Sequence, residues 1–210
     1  LAGMVDWDYP TATQGRAPEN VTARGEITGL VLAGGAGSRA GGRDKGLVPW
    51  QGEPLVAHVA RRLRPAVGRL LISCNRNTAA YAALADGTVA DSRAGFQGPL
   101  AGLEAAAGIV QTPFLVIAPC DTPLLPGDLV PRLLQPLEAE GVDIAWASDG
   151  AREHYLCAAL RSRCLADLAG WLDQGHRAVR HWYRNYRCAT VDFSDQPAAF
   201  RNINRPAARG

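Results

Sequence analysis

The run Ile27-Thr28-Gly29-Leu30-Val31-Leu32 stops abruptly at Gly34-Gly35. A mostly apolar run closed by glycines predicts a buried strand. A periodic helix is expected over residues 55–63 behind Pro54, a buried strand over 70–74, a short helix over 78–84 and a short strand over 88–90. A helix over 100–110 leads to Phe114-Leu115-Val116-Ile117-Ala118, the strongest strand pattern in the chain, then a helix from Pro126 to about 138 and a strand over 142–146. After Asp149 the pattern changes to a strand over 155–160, helical segments over 162–173 and 178–186, and a strand over 189–193. Strands alternating with helices predict an α/β sandwich with a mainly parallel central sheet. Ligands of such sheets sit beyond the carboxyl ends of the strands, so the loops after Leu32, Cys74, Ala90 and Ala118 should converge on one crevice.

Composition sets the outer bounds. With 210 residues, 47% of them hydrophobic, the chain can build one ordinary core. No apolar run approaches the roughly 18 residues of a membrane helix. Residues 1–25 are polar, aperiodic and carry Pro10 and Pro18; they read as a flexible tail, with no apolar stretch to suggest a secretory leader. Five cysteines without a C-x-x-C pair, and four histidines without zinc-like spacing, point to reduced thiols in a cytoplasmic protein. Net charge is +2, but residues 151–210 carry ten basic and five acidic side chains, which suggests an anionic ligand there.

Lysine is almost absent: 21 of the 22 basic residues are arginine, and the exception, Lys45, lies inside the most glycine-rich segment. Six of the thirteen residues from Gly34 to Gly46 are glycine, and Arg39, Arg43 and Lys45 are cationic. Glycines let backbone N–H groups approach an anion, and the cations neutralise phosphate charge. A Walker A loop is excluded, because Lys45 is followed by Gly46 rather than Ser or Thr. Gly35-Ala36-Gly37-Ser38-Arg39-Ala40 fits a loose dinucleotide pattern, with Glu53 18 residues after Gly35. That pattern needs a helix starting at the glycines, and Gly41-Gly42 and Pro49 argue against one. Directly after the strongest strand, Pro119-Cys120-Asp121-Thr122-Pro123 puts a carboxylate where it can hold Mg²⁺ with phosphate oxygens and water; as a plain turn residue, Asp121 would instead bond its own backbone. Asp91 ends a shorter strand and precedes Gly98-Pro99-Leu100-Ala101-Gly102, a second acidic contact beside a tight loop suited to line a base pocket.

Leu32-Ala33-Gly34-Gly35-x-Gly-x-Arg39 with Lys45 six residues later resembles the signature of nucleotidyltransferases. Asp44-Lys45-Gly46, Asn75-Arg76-Asn77, the Gly98–Gly102 and Pro119–Pro123 segments, Asp149-Gly150 before His154, and Asn202-Ile203-Asn204 narrow it. Together they resemble the molybdenum cofactor guanylyltransferase family, in order from about Ile27 to Pro206. The resemblance implies a Rossmann-like three-layer sandwich of nucleotidyltransferase type, a single domain over 26–210 with a nucleotide half (26–125) and an acceptor half (126–210). It implies Mg-dependent transfer of GMP from GTP to molybdopterin, with pyrophosphate released. Leu32, Ala33, Gly34 and Gly35 would hold the nucleotide, with Asp91, Gly98 and Ser73, the last where the family can carry an asparagine. Lys45 and Arg39 would contact phosphates, Asp121 the Mg²⁺ and the nucleotide, and His154, Asn202 and Asn204 the acceptor. Two other departures are Tyr155 after His154, where proline is common, and Arg205 where threonine often precedes Pro206. The implied partners are GTP, molybdopterin, molybdenum-insertion proteins and molybdoenzyme chaperones, with neither nucleic acid nor membrane.

Other readings stay open beside it: a cytidylyltransferase or another nucleotidyltransferase with the same loop, a non-catalytic nucleotide-binding module, or a nucleic-acid binder using the late arginines. Arg177, Arg180, Arg184 and Arg187 are spaced three, four and three apart and are expected along one face of a helix, facing either the acceptor or solvent. Cys120 has no histidine nearby in sequence and reads as a packed thiol.

Overall fold

The structure, a computed structural model, describes residues 22–35, 44–95, 97–138 and 141–204. Residues 1–21 of the expected tail and Arg39 lie outside these. Thr22 is tied to Glu138, which accepts its N–H at 2.9 Å and its hydroxyl at 2.6 Å, and Arg24–Glu26 forms a single 3-10 turn.

The strands are β1 (Ile27–Leu32), β2 (Pro49–Trp50), β3 (Glu53–Pro54), β4 (Arg69–Ser73), β5 (Gly87–Val89), β6 (Phe114–Pro119), β7 (Ile144–Ser148), β8 (Glu153–Arg161) and β9 (Cys188–Asp192). The helices are α1 (Leu55–Leu63), α2 (Thr78–Ala82), α3 (Pro99–Ala107), α4 (Leu129–Glu138), α5 (Leu168–Asp173) and α6 (Val179–Tyr183). Seven strands form one sheet in the order β5-β4-β1-β6-β8-β7-β9. Every pairing is parallel except the two made by β8. The expected mainly parallel α/β sandwich is therefore present.

Alternation along the strands divides the core in two. Ile27 and Val31 of β1, Leu70 and Ile72 of β4, and Val116 and Ala118 of β6 pack with α1 and α4. Leu30, Leu71, Leu115 and Ile117 point the other way, toward α3, α5 and α6. The apolar repeat Leu55, Val56, Val59, Ala60, Leu63 gives α1 its buried stripe, and Arg61 and Arg62 in its last turn complement the helix dipole. The chain leaves β1 for β4 and β5 on one side, then returns to β6 on the other. The switch point between β1 and β6 opens a crevice at the strands' carboxyl ends.

Several expected boundaries move. The helix over 100–110 stops at Ala107, before Gly108, and the helix from Pro126 starts at Leu129. The strand over 142–146 shifts to Ile144–Ser148, and β8 extends to Glu153–Arg161. The segment over 162–173 begins as a 3-10 helix, Ser162–Asp167, and becomes α-helical only in α5. The two-residue strands β2 and β3 were not expected; their turn is made by Gln51 and Gly52, both at positive φ, which fits a type I′ hairpin.

The arginine stripe does not form. The helix expected over 178–186 is only five residues long, so Arg177 and Arg187 lie outside it and Arg184 sits at its C-cap. Arg177 donates to Gln97 Oε1 at 2.6 Å, and Arg187 pairs with Asp143 at 3.5 Å. Local spacing predicts one helix; long-range pairing holds Arg177 and Arg187 in different places.

Candidate functional site

The register of the sheet aligns four strand ends in one row. Val89 pairs with Ser73, Ser73 with Leu32, and Leu32 with Pro119. The backbone continues the row outward: Ala33 N–H donates to Ser73 O at 2.8 Å and Cys120 N–H to Leu32 O at 3.1 Å. Beyond this row lies a cleft of about 240 Å³, lined among others by Leu32, Gly34, Gly35, Ser73, Asp91 and Gly98. The predicted residues Leu32, Gly34, Gly35, Ser73, Asp91 and Gly98 are thus brought together, while the Ala33 side chain packs against the core on the α1 and α4 side.

The cleft depends on missing side chains. A Cβ on Gly102 would stand 2.5 Å from Ser73 Oγ and 3.2 Å from Leu32 Cδ2, so only glycine lets α3 approach this floor. Gly98 has φ +84°, in the region that favours glycine, and turns the chain into α3, where Pro99 takes the first helical position.

Asp91 is held by Asn75. Asn75 Nδ2 donates to Asp91 Oδ2 at 2.8 Å, and Asp91 N–H donates back to Asn75 Oδ1 at 2.8 Å. Asp91 Oδ1 is buried and has no hydrogen-bond partner among the described residues. Burial pushes the Asp91 carboxyl above the usual carboxylate value, against the Asn75 hydrogen bond that favours the ionised form. A buried carboxylate oxygen without a donor, at the edge of a cleft, suits a ligand that brings one.

At the other end of the crevice Lys45 Nζ donates to Asp121 Oδ2 and, at 2.7 Å, to Asn204 Oδ1. Asp121 is 9% exposed, and its backbone carbonyl accepts from Ile203 N–H at 2.8 Å, which pins the late Asn-x-Asn segment to the end of β6. Asn202, in the same segment, is exposed. Lys45 opens a short 3-10 turn, Lys45–Leu47, steadied by its neighbour Asp44. Asp44 accepts from the Tyr81 hydroxyl and, at 3.0 Å, from Asn77 Nδ2, and pairs with Arg76 at 3.7 Å.

His154 belongs to the same edge of the sheet. The β7–β8 register slips between Trp146 and Ala147, from Ala158 to His154. His154 Nε2 lies 2.8 Å from Asp149 Oδ2, a hydrogen bond that holds Asp149 below the usual aspartate value. Its ring stacks on Phe200 at 4.6 Å, two residues before Asn202. Burial, with the Asp121 carboxylate beside it, pushes the Cys120 thiol up to about 12, so it is a packed thiol rather than a nucleophile. All five cysteines are free and buried.

Sequence reasoning missed the supports behind these residues. Arg93 grips Glu104 with two bonds of 2.7 Å and Asp173 with a third of 2.7 Å, tying the loop after Asp91 to α3 and α5. Tyr81 and Gln97 play similar parts. Their partners are distant in sequence, so no local spacing signals them.

Comparison with known proteins adds independent findings. Residues 29–190 match the model of the MobA-like NTP transferase domain. The molybdenum cofactor guanylyltransferase of Shewanella sediminis is 44% identical over 181 residues, covering 86% of this chain and 92% of that protein. The protein of the same name from Shewanella loihica is 41% identical over 181 residues, with the same coverage. Among solved structures, molybdopterin-guanine dinucleotide biosynthesis protein A from Archaeoglobus fulgidus superposes with a TM-score of 0.69 at 22% identity, covering 85% of this chain and 93% of that one. A nucleotidyl transferase from Methanothermobacter thermautotroptrophicus gives 0.66 at 19% identity, covering 86% and 92%. At these identities the structural likeness speaks for the fold.

Proposed function

This chain belongs to the molybdenum cofactor guanylyltransferase family, and from that premise we propose that it transfers GMP from GTP to the phosphate of molybdopterin, releasing pyrophosphate. The observation that carries the reading is the joining of a base-sized cleft to the Lys45, Asp121 and Asn204 cluster along one sheet edge. The cleft residues Leu32, Gly34, Gly35, Ser73, Asp91 and Gly98, with the Ala33 backbone between them, would hold guanosine, and Lys45 with Arg39 the phosphates. His154, Asn202 and Asn204 would face the acceptor, so residues 26–125 form a nucleotide half and 126–210 an acceptor half.

The donor set near Lys45 fits Mg²⁺. Asp121 supplies a carboxylate and Asn204 an amide oxygen, both hard donors, leaving positions for phosphate oxygens and water. Bound there, Mg²⁺ would add positive charge against the triphosphate and the departing pyrophosphate.

The Lys45 ammonium and the Asp121 carboxylate neutralise each other as an ion pair. On GTP binding Lys45 would turn to the phosphates, trading one anionic partner for another, and leave the Asp121 carboxylate to serve the metal. A phosphate oxygen of molybdopterin attacks the α-phosphorus in line, and the bond to the β-phosphate oxygen breaks as pyrophosphate departs. The attacking oxygen is already ionised, so no side chain need remove a proton. Positioning and charge neutralisation by the cations carry the rate.

No helix among the described residues is long and apolar enough to cross a membrane. We place the protein in the cytoplasm, handling a cofactor passed from molybdenum-insertion proteins toward molybdoenzyme chaperones. Incubation with Mg-GTP and molybdopterin, followed by chromatography, should yield the guanine dinucleotide and pyrophosphate. Dinucleotide formed from CTP in preference to GTP would move the protein to cytidylyl transfer, and GTP binding without any pyrophosphate release would leave it a binding module.

A further inference from the structure

We propose that Asn75, just past the end of β4, is a positioning residue for base recognition: it clamps Asp91 so that Asp91 Oδ1 meets a base edge bearing N–H donors. The proposal rests on the guanine-nucleotide reading above. Asn75 is exposed, yet its amide is fully engaged: Nδ2 donates to Asp91 Oδ2 at 2.8 Å and to Gly34 O at 3.2 Å, and Oδ1 accepts the Asp91 N–H at 2.8 Å. An exposed asparagine serving only solubility has no reason to bridge two walls of a cleft. Here it joins the turn after β1 to the residue after β5.

The two-way bond between Asn75 and Asp91 fixes the carboxylate plane. Oδ2 is turned to Asn75, and Oδ1 is left buried and unpartnered among the described residues, at the lining of the cleft. An ionised carboxylate oxygen only accepts, so the ligand atom opposite must donate. Guanine presents a ring N–H and an amino group side by side on one edge. Adenine and cytosine set a ring-nitrogen acceptor beside their amino group, which the carboxylate repels. Discrimination of this kind grows with the fixity of the buried polar group, because a rotating carboxylate finds water instead.

Titration calorimetry of the full-length protein with Mg-GTP and Mg-ATP tests this across pH. Asn75→Ala should weaken GTP binding roughly tenfold while ATP binding changes less than about twofold, since only the oriented contact is lost. The acid limb of GTP binding should move to higher pH in the same variant. The lost hydrogen bond favoured ionised Asp91, while Glu104, which faces Asp91 from α3 and is held by Arg93, stays in place. The exchange Asn75→Asp with Asp91→Asn reverses the bond and keeps an oxygen toward the cleft; it should recover part of the preference that Asn75→Asp alone abolishes. A well-folded Asn75→Ala protein with unchanged GTP preference and pH profile overturns the proposal alone. A native protein that binds ATP as well as GTP overturns the guanine reading, and the proposal with it.

Discussion

Lys45 is one ammonium group with two oxygen partners, and its chemistry at the site follows from that. Lys45→Ala removes the cation without touching the core, since the side chain is 32% exposed. We expect the fold to persist, with a lower melting temperature because Asp121 is left unpaired, and a loss of roughly 100-fold or more in kcat/KM for GMP transfer. Lys45→Arg should restore only part, because a planar guanidinium does not occupy the space of a compact ammonium between Asp121 and Asn204. Full activity in the alanine variant would remove Lys45 from the reaction. If Asp121 holds Mg²⁺ as proposed, Asp121→Asn should cost turnover more than GTP affinity, since a metal there would act chiefly on charge that develops as pyrophosphate leaves. Normal turnover of that variant at ordinary magnesium concentration would leave Asp121 a turn residue.

Elements matter here through how closely they approach. A Cβ on Gly46 would lie 2.5 Å from the Tyr81 hydroxyl, which is itself bonded to Asp44. Gly46→Ala must therefore push α2 or the Lys45–Leu47 turn, and we expect about 1–3 kcal/mol of destabilisation with reduced transfer. Tyr81→Phe removes the clashing oxygen and leaves ring carbons at 3.1 and 3.2 Å, so the double variant should melt closer to the Tyr81→Phe protein than Gly46→Ala does to the native one. Equal losses in both backgrounds would show that the contact does not limit this turn. The glycine-rich pattern was legible from composition, but the reason for Gly46 was not. It lies in Tyr81, on an element 35 positions away that nothing in the loop announces.

At the scale of the molecule, Asp143 joins the start of β7 to its neighbours. It is 8% exposed, accepts from Arg163 at 2.6 Å and from the Arg187 N–H at 3.3 Å, and lies 3.5 Å from the Arg187 guanidinium. Burial pushes its carboxyl up, but these bonds and charges together hold it below the usual aspartate value. A depressed pKa stabilises the fold above the unfolded value, and that contribution fades as pH falls through the folded one. Asp143→Asn should thus cost about 1–2 kcal/mol near neutral pH, with both arginines largely exposed, and the gap to the native protein should close below about pH 4. A gap that stays constant down to pH 3 in denaturation curves would exclude the charge as its origin. Removing residues 201–210 tests the other end. Phe200 stays in the core at 2% exposure, so the fold should persist, and GTP affinity should change only a few-fold while transfer is lost with Asn202 and Asn204.

Local patterns in the amino-acid sequence carry the alternation of buried strands and helices, the glycines Gly34 and Gly35 that close β1, and the carboxylate that follows β6. Each depends on neighbours within a few positions: apolar periodicity, glycine at a strand end, proline opening a helix. The same patterns misjudge the four late arginines, because a spacing compatible with one helix does not make one when Gln97 and Asp143 hold two of them elsewhere. Which functional groups meet is set by the fold as a whole. Lys45 reaches Asp121 across 76 positions and Asn204 across 159, and Asn75 reaches Asp91 across 16. Those meetings follow from strand order and from the common direction of β1, β4, β5 and β6, which bring four strand ends to one edge. Pairing order is fixed by the packing of both faces of the sheet at once, a property of the whole core that no local window contains.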